Sequence, residues 1–337
     1  MCGLAVVLAA GLVPLSALPA AARPTSAPAV SASAADEGRN PDEAPAEATT
    51  DGALAEAKRL GRQVEVGALR GEHSDVFATP EGALEAREYL RPVRARVDGA
   101  WRPVDTELAK ASDGSVAPKV STVGIRFSSG GDDPLVRMEK AGREVALSWP
   151  GALPAPELSG STATYREVLP GVDLRMGAQE DGFTQLLVVK SAEAAASEKL
   201  AALRLELASE GVDVRETAEG GLAAVDRGAQ GAVFEAPKPM MWDSSTPSGD
   251  GTGAARRRTA VEEGVGAARE PGAGESGRLA AVGVAVPATG DALVLTPDAE
   301  MLSDAATVYP VFIDPQWYSP RASAWTMASE YWASSPQ

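Results

Sequence analysis

The feature that most constrains this fold is a series of short runs in which apolar and polar residues alternate, separated by turn-forming dipeptides. In residues 93–97 the apolar side chains fall at every second position, and Asp98-Gly99 follows before the next run. Alternation with a period of two places one face of a strand against a core. Asp-Gly favours a tight hairpin, because both residues tolerate positive φ. Ala141-Gly142 is expected to join two further strands in the same way.

The same pattern continues along most of the chain. Further strands are predicted at residues 162–168, 172–176, 183–190, 203–207, 212–215, 222–226, 232–235, 279–286, 292–295 and 308–313. Residues 186–189 are apolar on both faces, which indicates a central strand. Only two short helices are predicted, at residues 51–60 and 191–199, whereas a parallel sheet needs a crossover helix between most strands. We therefore predict a mainly β fold, an antiparallel β-sandwich-like two-sheet architecture with one or two short helices and long disordered linkers.

The N-terminus predicts export. Residues 4–18 form an apolar run, broken by Pro14, that is shorter than the roughly 20 residues a membrane-spanning helix needs. Ala20 and Ala22 fit a signal-peptidase site, so residues 1–22 are expected to be a signal peptide. Cys2, the only cysteine, precedes the apolar run and is therefore no lipid anchor. We expect a secreted, extracellular protein with no disulfide and no membrane span.

Composition divides the rest of the chain. Residues 23–50 are rich in Ala, Pro, Ser and acidic residues and are expected to form a disordered tether. Residues 51–243 are assigned to the β-sandwich-like domain, 244–278 to a low-complexity linker or loop, and 279–315 to further strands of the same domain. Arg256-Arg257-Arg258 lies in a solvated linker on this interpretation; a protease-sensitive or anion-binding loop is the alternative. Residues 316–337, rich in aromatic side chains, are assigned to the truncated start of a following module.

Five stretches carry a resemblance to known proteins: residues 164–175 (TYREVLPGVDLR), 181–183 (DGF), 187–190 (LVVK), 236–243 (APKPMMWD) and 309–315 (YPVFIDP). They resemble the N-terminal region of large secreted actinobacterial multidomain proteins. In that family the region precedes LamG-like jelly-roll domains, DNRLRE-type β-domains or RHS repeats. The resemblance covers roughly residues 53–331 and implies an extracellular, multidomain, cell-surface context. It implies no catalytic residues for this chain.

Several chemistries are excluded or disfavoured. A net charge of −16 argues against nucleic acid as a partner, because phosphate binding needs a basic surface. His73 is the only histidine, which excludes a metal site with two or more histidine ligands. A Ser-His-Asp triad would have to use this one residue, and His73 is expected to be a surface residue instead. Asp132-Asp133 could offer oxygen ligands to Ca²⁺, although a plain turn is the simpler interpretation. No other cofactor is expected.

Paired carboxylates are the remaining catalytic possibility. Glu167, Asp173 and Asp181 lie near the family-like strands, and glycoside hydrolysis needs two carboxyl groups about 5–10 Å apart. Acidic residues in such turns more often cap backbone amides or remain solvated, so we expect no enzyme activity.

The first hypothesis is thus a non-catalytic structural or interaction scaffold that serves downstream modules of the same polypeptide. The alternative is a carbohydrate-binding module at a cell wall or extracellular polysaccharide. A glycan-active enzyme is the third hypothesis. Exposed Trp and Tyr side chains stack on sugar rings, which makes the C-terminal aromatic residues the candidate ligand-binding set. These are Trp317, Tyr318, Trp325 and Trp332.

Overall fold

A computed structural model describes residues 49–245 and 277–320. The chain is mainly β, with 49% strand and 11% helix in several antiparallel sheets, which confirms the predicted fold class. The expected signal peptide, the tether up to residue 48, most of the linker and the tail from residue 321 lie outside the described residues.

A helix and a small sheet form the first part of the described chain. The elements are α1 (Thr50–Leu60), β1 (Val64–Glu65), a 3₁₀ turn (Gly67–Leu69), β2 (Ser74–Ala78) and β3 (Leu84–Glu88), with the sheet order β1-β2-β3. The helix begins where Thr49 Oγ1 accepts a hydrogen bond from the Gly52 N–H at 3.2 Å, and it ends at Gly61 with φ 63°. This cap lies two residues before the predicted start of the helix at residue 51. Ala53 and Ala57 pack into a small core of their own.

Two predicted hairpins are present. β4 (Arg94–Val97) and β5 (Ala100–Pro103) are joined by Asp98 and Gly99, both with positive φ. Ala141 and Gly142 have φ values of 51° and 73° and join β9 (Val136–Lys140) to β10 (Arg143–Ser148).

An eight-stranded sheet forms one layer of the main body. Its strands, in chain order, are β6 (Asp105–Lys110), β7 (Val116–Val120), β8 (Gly124–Phe127), β9 (Val136–Lys140), β10 (Arg143–Ser148), β15 (Leu203–Glu210), β21 (Gly283–Ala285) and β22 (Ala292–Thr296). The spatial order is β21-β22-β15-β10-β9-β8-β7-β6.

An eleven-stranded sheet forms the other layer. Its strands are β11 (Glu157–Ser159), β12 (Thr162–Leu169), β13 (Val172–Ala178), β14 (Gly182–Val189), β16 (Val212–Glu216), β17 (Leu222–Asp226), β18 (Ala232–Ala236), β19 (Met240–Trp242), β20 (Leu279–Ala281), β23 (Val311–Asp314) and β24 (Gln316–Tyr318). The main path runs β11-β12-β13-β14-β24-β18-β17-β16. β23 pairs with both β14 and β19, and β19 pairs with β20. The predicted central strand is β14, which has partners on both sides.

The core lies between these sheets. Phe127 and Leu147 come from the eight-stranded sheet, and Tyr165, Phe234 and Trp317 from the eleven-stranded one. Each of these side chains is at most 2% exposed. Full burial of one large apolar side chain contributes about 1.5–3 kcal/mol, so this shared interior holds the two layers together.

The structure differs from the sequence prediction at several places. Residues 191–199 form two short helices, α2 (Ala192–Ala195) and α3 (Glu198–Ala201), rather than one. Residues 279–286 form two strands, and the break between β20 and β21 sends them to different sheets. Residues 316–318, assigned from sequence to a following module, are β24 and lie inside the sheet between β14 and β18. One further helix, α4 (Ala299–Ser303), was not predicted.

The carboxylate of Asp243 joins three separate parts of the chain next to β19. Its Oδ1 accepts hydrogen bonds from the Ser245 hydroxyl at 2.6 Å and from the Arg278 N–H at 2.8 Å, and its Oδ2 accepts one from the Val308 N–H at 3.3 Å. The residue is 1% exposed. A Cβ at Gly277 would lie 1.9 Å from the Asp243 carbonyl oxygen, so this close approach requires glycine. We call this arrangement the Asp243 clasp.

Candidate functional site

The stretch from residue 164 to 175 forms a bulged hairpin. The register of β12 against β13 shifts between Tyr165 and Leu169, and Glu167 has a φ of 53° within the shifted part. A positive φ is uncommon for a non-glycine residue and persists only when surrounding contacts hold it. The contacts here come from a charge network around Asp173.

Asp173 is the centre of that network. Its side chain is 3% exposed and contacts Lys190 Nζ at 2.7 Å and Arg166 Nη1 at 3.1 Å. Its Oδ1 also accepts the Glu167 N–H at 2.9 Å. Burial alone would raise the pKa of Asp173, but hydrogen bonds from Lys190, the Glu167 N–H and Arg166 outweigh it and hold the pKa below its ordinary value. Asp173 is therefore an ionised, neutralised carboxylate.

Glu167 belongs to the same network. Its Oε1 accepts from Lys190 Nζ at 2.5 Å, and its Oε2 accepts from the Gly171 N–H at 2.7 Å. The hydrogen bond from Lys190, followed by that from Gly171, lowers the pKa of Glu167. A general acid at neutral pH needs a raised pKa, whereas both carboxylates of this network are held ionised. The arrangement closes a hairpin and supplies no proton donor among its acidic groups.

Asp181, the third candidate carboxylate, is not brought to this cluster. It lies in the turn after β13, and the five residues from Asp173 to the end of that strand at Ala178 span roughly 17 Å. Asp181 is 4% exposed, and its carbonyl oxygen accepts the Ser319 N–H at 2.8 Å. Asp173 and Asp181 thus lie farther apart than the two carboxyl groups of a glycosidase.

The other candidate groups lie apart from one another. His73 Nδ1 is 3.3 Å from the Tyr89 carbonyl oxygen in the small N-terminal sheet. Asp132 and Asp133 are exposed in the turn between β8 and β9. Within residues 49–245 and 277–320, no three His, Cys, Asp or Glu side chains converge closely enough to hold a metal ion.

The structure places the predicted sugar-stacking residue Trp317 in the core. Trp317 is 2% exposed and lies opposite Phe183 across the β14–β24 pair. A Cβ at Gly182 would lie 2.0 Å from the Trp317 carbonyl oxygen, so glycine is what allows β24 to approach. Tyr318 is half-buried on the other face of the strand. Trp325 and Trp332 lie outside the described residues.

An open depression of about 420 Å³, which the sequence patterns did not reveal, lies where two hairpin turns meet the end of β24. Lys140 and Arg143 flank the Ala141-Gly142 turn, Asp226 ends β17, and Ser319 follows β24. Lys140 Nζ donates to Ser319 Oγ at 2.6 Å. We call these four side chains the basic depression, because it carries more positive than negative charge on an acidic protein.

The charged side chains of the basic depression differ in whether they have a partner of opposite charge. Asp226 accepts the Ala229 N–H at 2.6 Å and the Gly228 N–H at 2.7 Å, and it contacts Arg143 Nε closely. The Ala229 hydrogen bond, then that from Arg143, lowers the pKa of Asp226. Asp226 therefore closes its own turn and neutralises Arg143. Lys140 has the neutral Ser319 hydroxyl as its hydrogen-bond partner. It makes no ion pair with an acidic residue in the part of the chain that the structure describes, so its charge can attract an anionic group.

Comparison of this chain with protein-family models, with curated proteins and with solved structures gives no match in any of the three. In the part of the chain that the structure describes, no helix has both the length and the apolar character needed to cross a bilayer.

Proposed function

We propose that this chain is a secreted, non-catalytic structural or interaction scaffold, the N-terminal module of a larger extracellular protein of the kind that carries LamG-like, DNRLRE-type or RHS modules. The observation that supports it most is the charge network of the family-like hairpin. Its carboxylates, Asp173 and Glu167, are neutralised by Arg166 and Lys190 and hold a strained bulge in place. Residues arranged in this way stabilise a sheet and supply no acid–base pair.

The test compares stability with turnover. The full chain is incubated with a panel of polysaccharides, and released reducing ends are measured for the wild type, Glu167→Gln and Asp173→Asn. The proposal expects no release by any of the three, together with lower urea midpoints for the two variants. Turnover by the wild type that Glu167→Gln abolishes without loss of folding would overturn it.

The basic depression favours a second candidate, the binding of acidic glycans. Because Trp317 is buried, stacking on a neutral sugar through this residue would require opening the sheet. The Lys140 ammonium and the Ser319 hydroxyl instead suit the carboxylate and hydroxyl groups of a uronic acid. The short range of surface electrostatics makes such binding salt-dependent.

A short oligogalacturonate is the appropriate probe, since a long polyanion would be repelled by the acidic surface. Titration calorimetry at low salt should show binding to the wild type that Lys140→Gln weakens severalfold, while the exposed control Lys110→Gln leaves it unchanged. Equal binding by both variants, or binding insensitive to salt, would exclude the basic depression as the site.

A further inference from the structure

No other described strand pairs with the outer edge of the small N-terminal sheet. β3 is the outer strand, and all residues from 81 to 91 are exposed. Leu84 is 47% exposed and Leu90, just beyond the strand, is 93% exposed. An exposed edge strand offers unpaired backbone donors and acceptors to another strand.

The pairing with β2 fixes which backbone groups are free. Thr79 N–H donates to the Ala83 carbonyl oxygen at 2.9 Å, and Tyr89 N–H donates to the His73 carbonyl oxygen at 2.8 Å. Because backbone groups alternate in direction along a strand, the odd-numbered residues between Ala83 and Tyr89 face β2. The N–H and C=O groups of residues 84, 86 and 88 therefore point away from the sheet.

These outward groups suit an antiparallel strand of the same sequence. With Ala86 opposite Ala86 of a second copy, Leu84 lies opposite the copy's Glu88, and all three outward residues form hydrogen-bonded pairs. Six backbone hydrogen bonds result. In the same register, Glu85 lies opposite Arg87 of the second copy, and Arg87 opposite the copy's Glu85.

The charges are complementary in that register. Residues 85 and 87 form the non-hydrogen-bonded pairs, in which opposing side chains are closest, and opposite charges there are stabilising. Within one chain Glu85 and Arg87 lie 3.2 Å apart, with side chains 45% and 47% exposed, on one face of β3. Two copies would join these pairs into a square of alternating charge.

The same register covers Leu90, the most exposed large apolar side chain among the described residues. Continuing the pairing places Leu90 opposite Gly82 of the second copy, at the turn between β2 and β3. Contact there removes apolar surface from water, which favours association.

The strands at the ends of the two large sheets are less suited to this pairing. β11 and β21 each have three residues. On β6, the Leu108 N–H already donates to the Gly160 carbonyl oxygen at 2.8 Å. On β16, Glu216 Oε1 accepts the Val286 N–H at 2.9 Å.

We propose that the chain self-associates through β3, as a two-fold symmetric antiparallel strand pair centred on Ala86. One strand pair buries less surface than a standard interface, so the dimer is weak and forms at high local concentration, as on a crowded cell surface. This inference goes beyond the scaffold function and does not depend on any ligand.

Sedimentation equilibrium of the full chain over a wide concentration range measures the association. Glu85→Arg and Arg87→Glu each place like charges opposite one another twice and should weaken the dimer at least about tenfold. An equimolar mixture of the two variants restores both opposite-charge pairs, so a heterodimer should form with near wild-type affinity. A purely structural role for either residue would not produce this rescue.

Two further variants complete the test. Arg137→Glu removes an exposed cross-strand ion pair with Glu144 elsewhere and should leave the association unchanged. The double swap Glu85→Arg/Arg87→Glu should dimerise like the wild type. A wild type that stays monomeric throughout, single variants that dimerise normally, or a mixture that stays monomeric would overturn the proposal.

Discussion

Asp314 is a half-buried carboxylate whose replacement should stabilise the protein in a pH-dependent way. It ends β23, lies opposite Met240 of β19 and, by continuation of the register, opposite Leu186 of β14. Burial in this apolar setting raises the pKa of Asp314 from its ordinary value of 3.8 to about 6. The folded protein therefore disfavours the charged form.

The sign and size of the effect follow from linkage. Below the unfolded pKa, Asp314 is protonated in both states and adds no penalty. As the pH rises from about 4 to 6, the unfolded state releases the proton first and the free energy of unfolding falls. Above pH 6 the full penalty applies, and a shift of about two pKa units corresponds to about 3 kcal/mol. Asn, which cannot ionise, should recover this amount.

Urea unfolding followed by tryptophan fluorescence measures the gain. Asp314→Asn should raise the free energy of unfolding by about 3 kcal/mol at pH 8 and by about 1 kcal/mol at pH 4.5. Asp75, Asp173 and Asp243 have lowered pKa values, so each loses its stabilising contribution as the pH falls. Because those groups are unchanged in the variant, the difference between the two proteins isolates Asp314.

The exposed Asp133→Asn serves as the matched control and should change stability by less than about 0.5 kcal/mol. A gain for Asp314→Asn that is the same at pH 4.5 and pH 8, or no gain at pH 8, would show that the carboxylate is not desolvated in the folded protein.

Three other substitutions test the core and the clasp by urea unfolding. Gln185 is 1% exposed and its Nε2 has no hydrogen-bond partner among the described residues, so Gln185→Met should stabilise by about 1 kcal/mol; destabilisation would indicate a hidden partner. Tyr165→Phe removes a 2.6 Å hydrogen bond to the buried Ser128 carbonyl oxygen and should lower the free energy of unfolding by about 1–3 kcal/mol; no change would mean that the carbonyl finds water. Asp243→Ala removes the clasp and should lower the free energy of unfolding by about 2–4 kcal/mol at pH 7. The loss should be smaller at pH 3, where the carboxylate is protonated in the unfolded chain. A loss that does not change with pH would contradict a contribution from the ionised carboxylate.

The predictable parts of the fold are those governed by local chemistry. Asp98-Gly99 and Ala141-Gly142 specify tight turns through their backbone conformations alone, and both hairpins formed. The apolar run at residues 186–189 marked β14 as central, because a strand covered on both faces needs apolar side chains on both. Gly61 ended α1 as expected, through its left-handed conformation.

The parts that escaped prediction depend on contacts distant in sequence. β3 carries charged residues on an exposed edge, so no alternation distinguishes it from a loop. Trp317 looked like a free aromatic residue because its partner Phe183 is more than a hundred positions away. The basic depression likewise combines Lys140 with Ser319, and only the folded sheet brings them together.

The Asp243 clasp has a consequence for how this protein tolerates alteration. The Asp243 carboxylate connects the two segments that flank residues 246–276, and β19 and β20 pair directly beside it. The segments before residue 246 and after residue 276 are thus held together by non-covalent contacts as well as by the chain between them. A chain cut by a protease within residues 246–276 should stay associated and folded, and foreign sequences of varied length should be accepted there. The position is a natural place to insert a tag or a second domain.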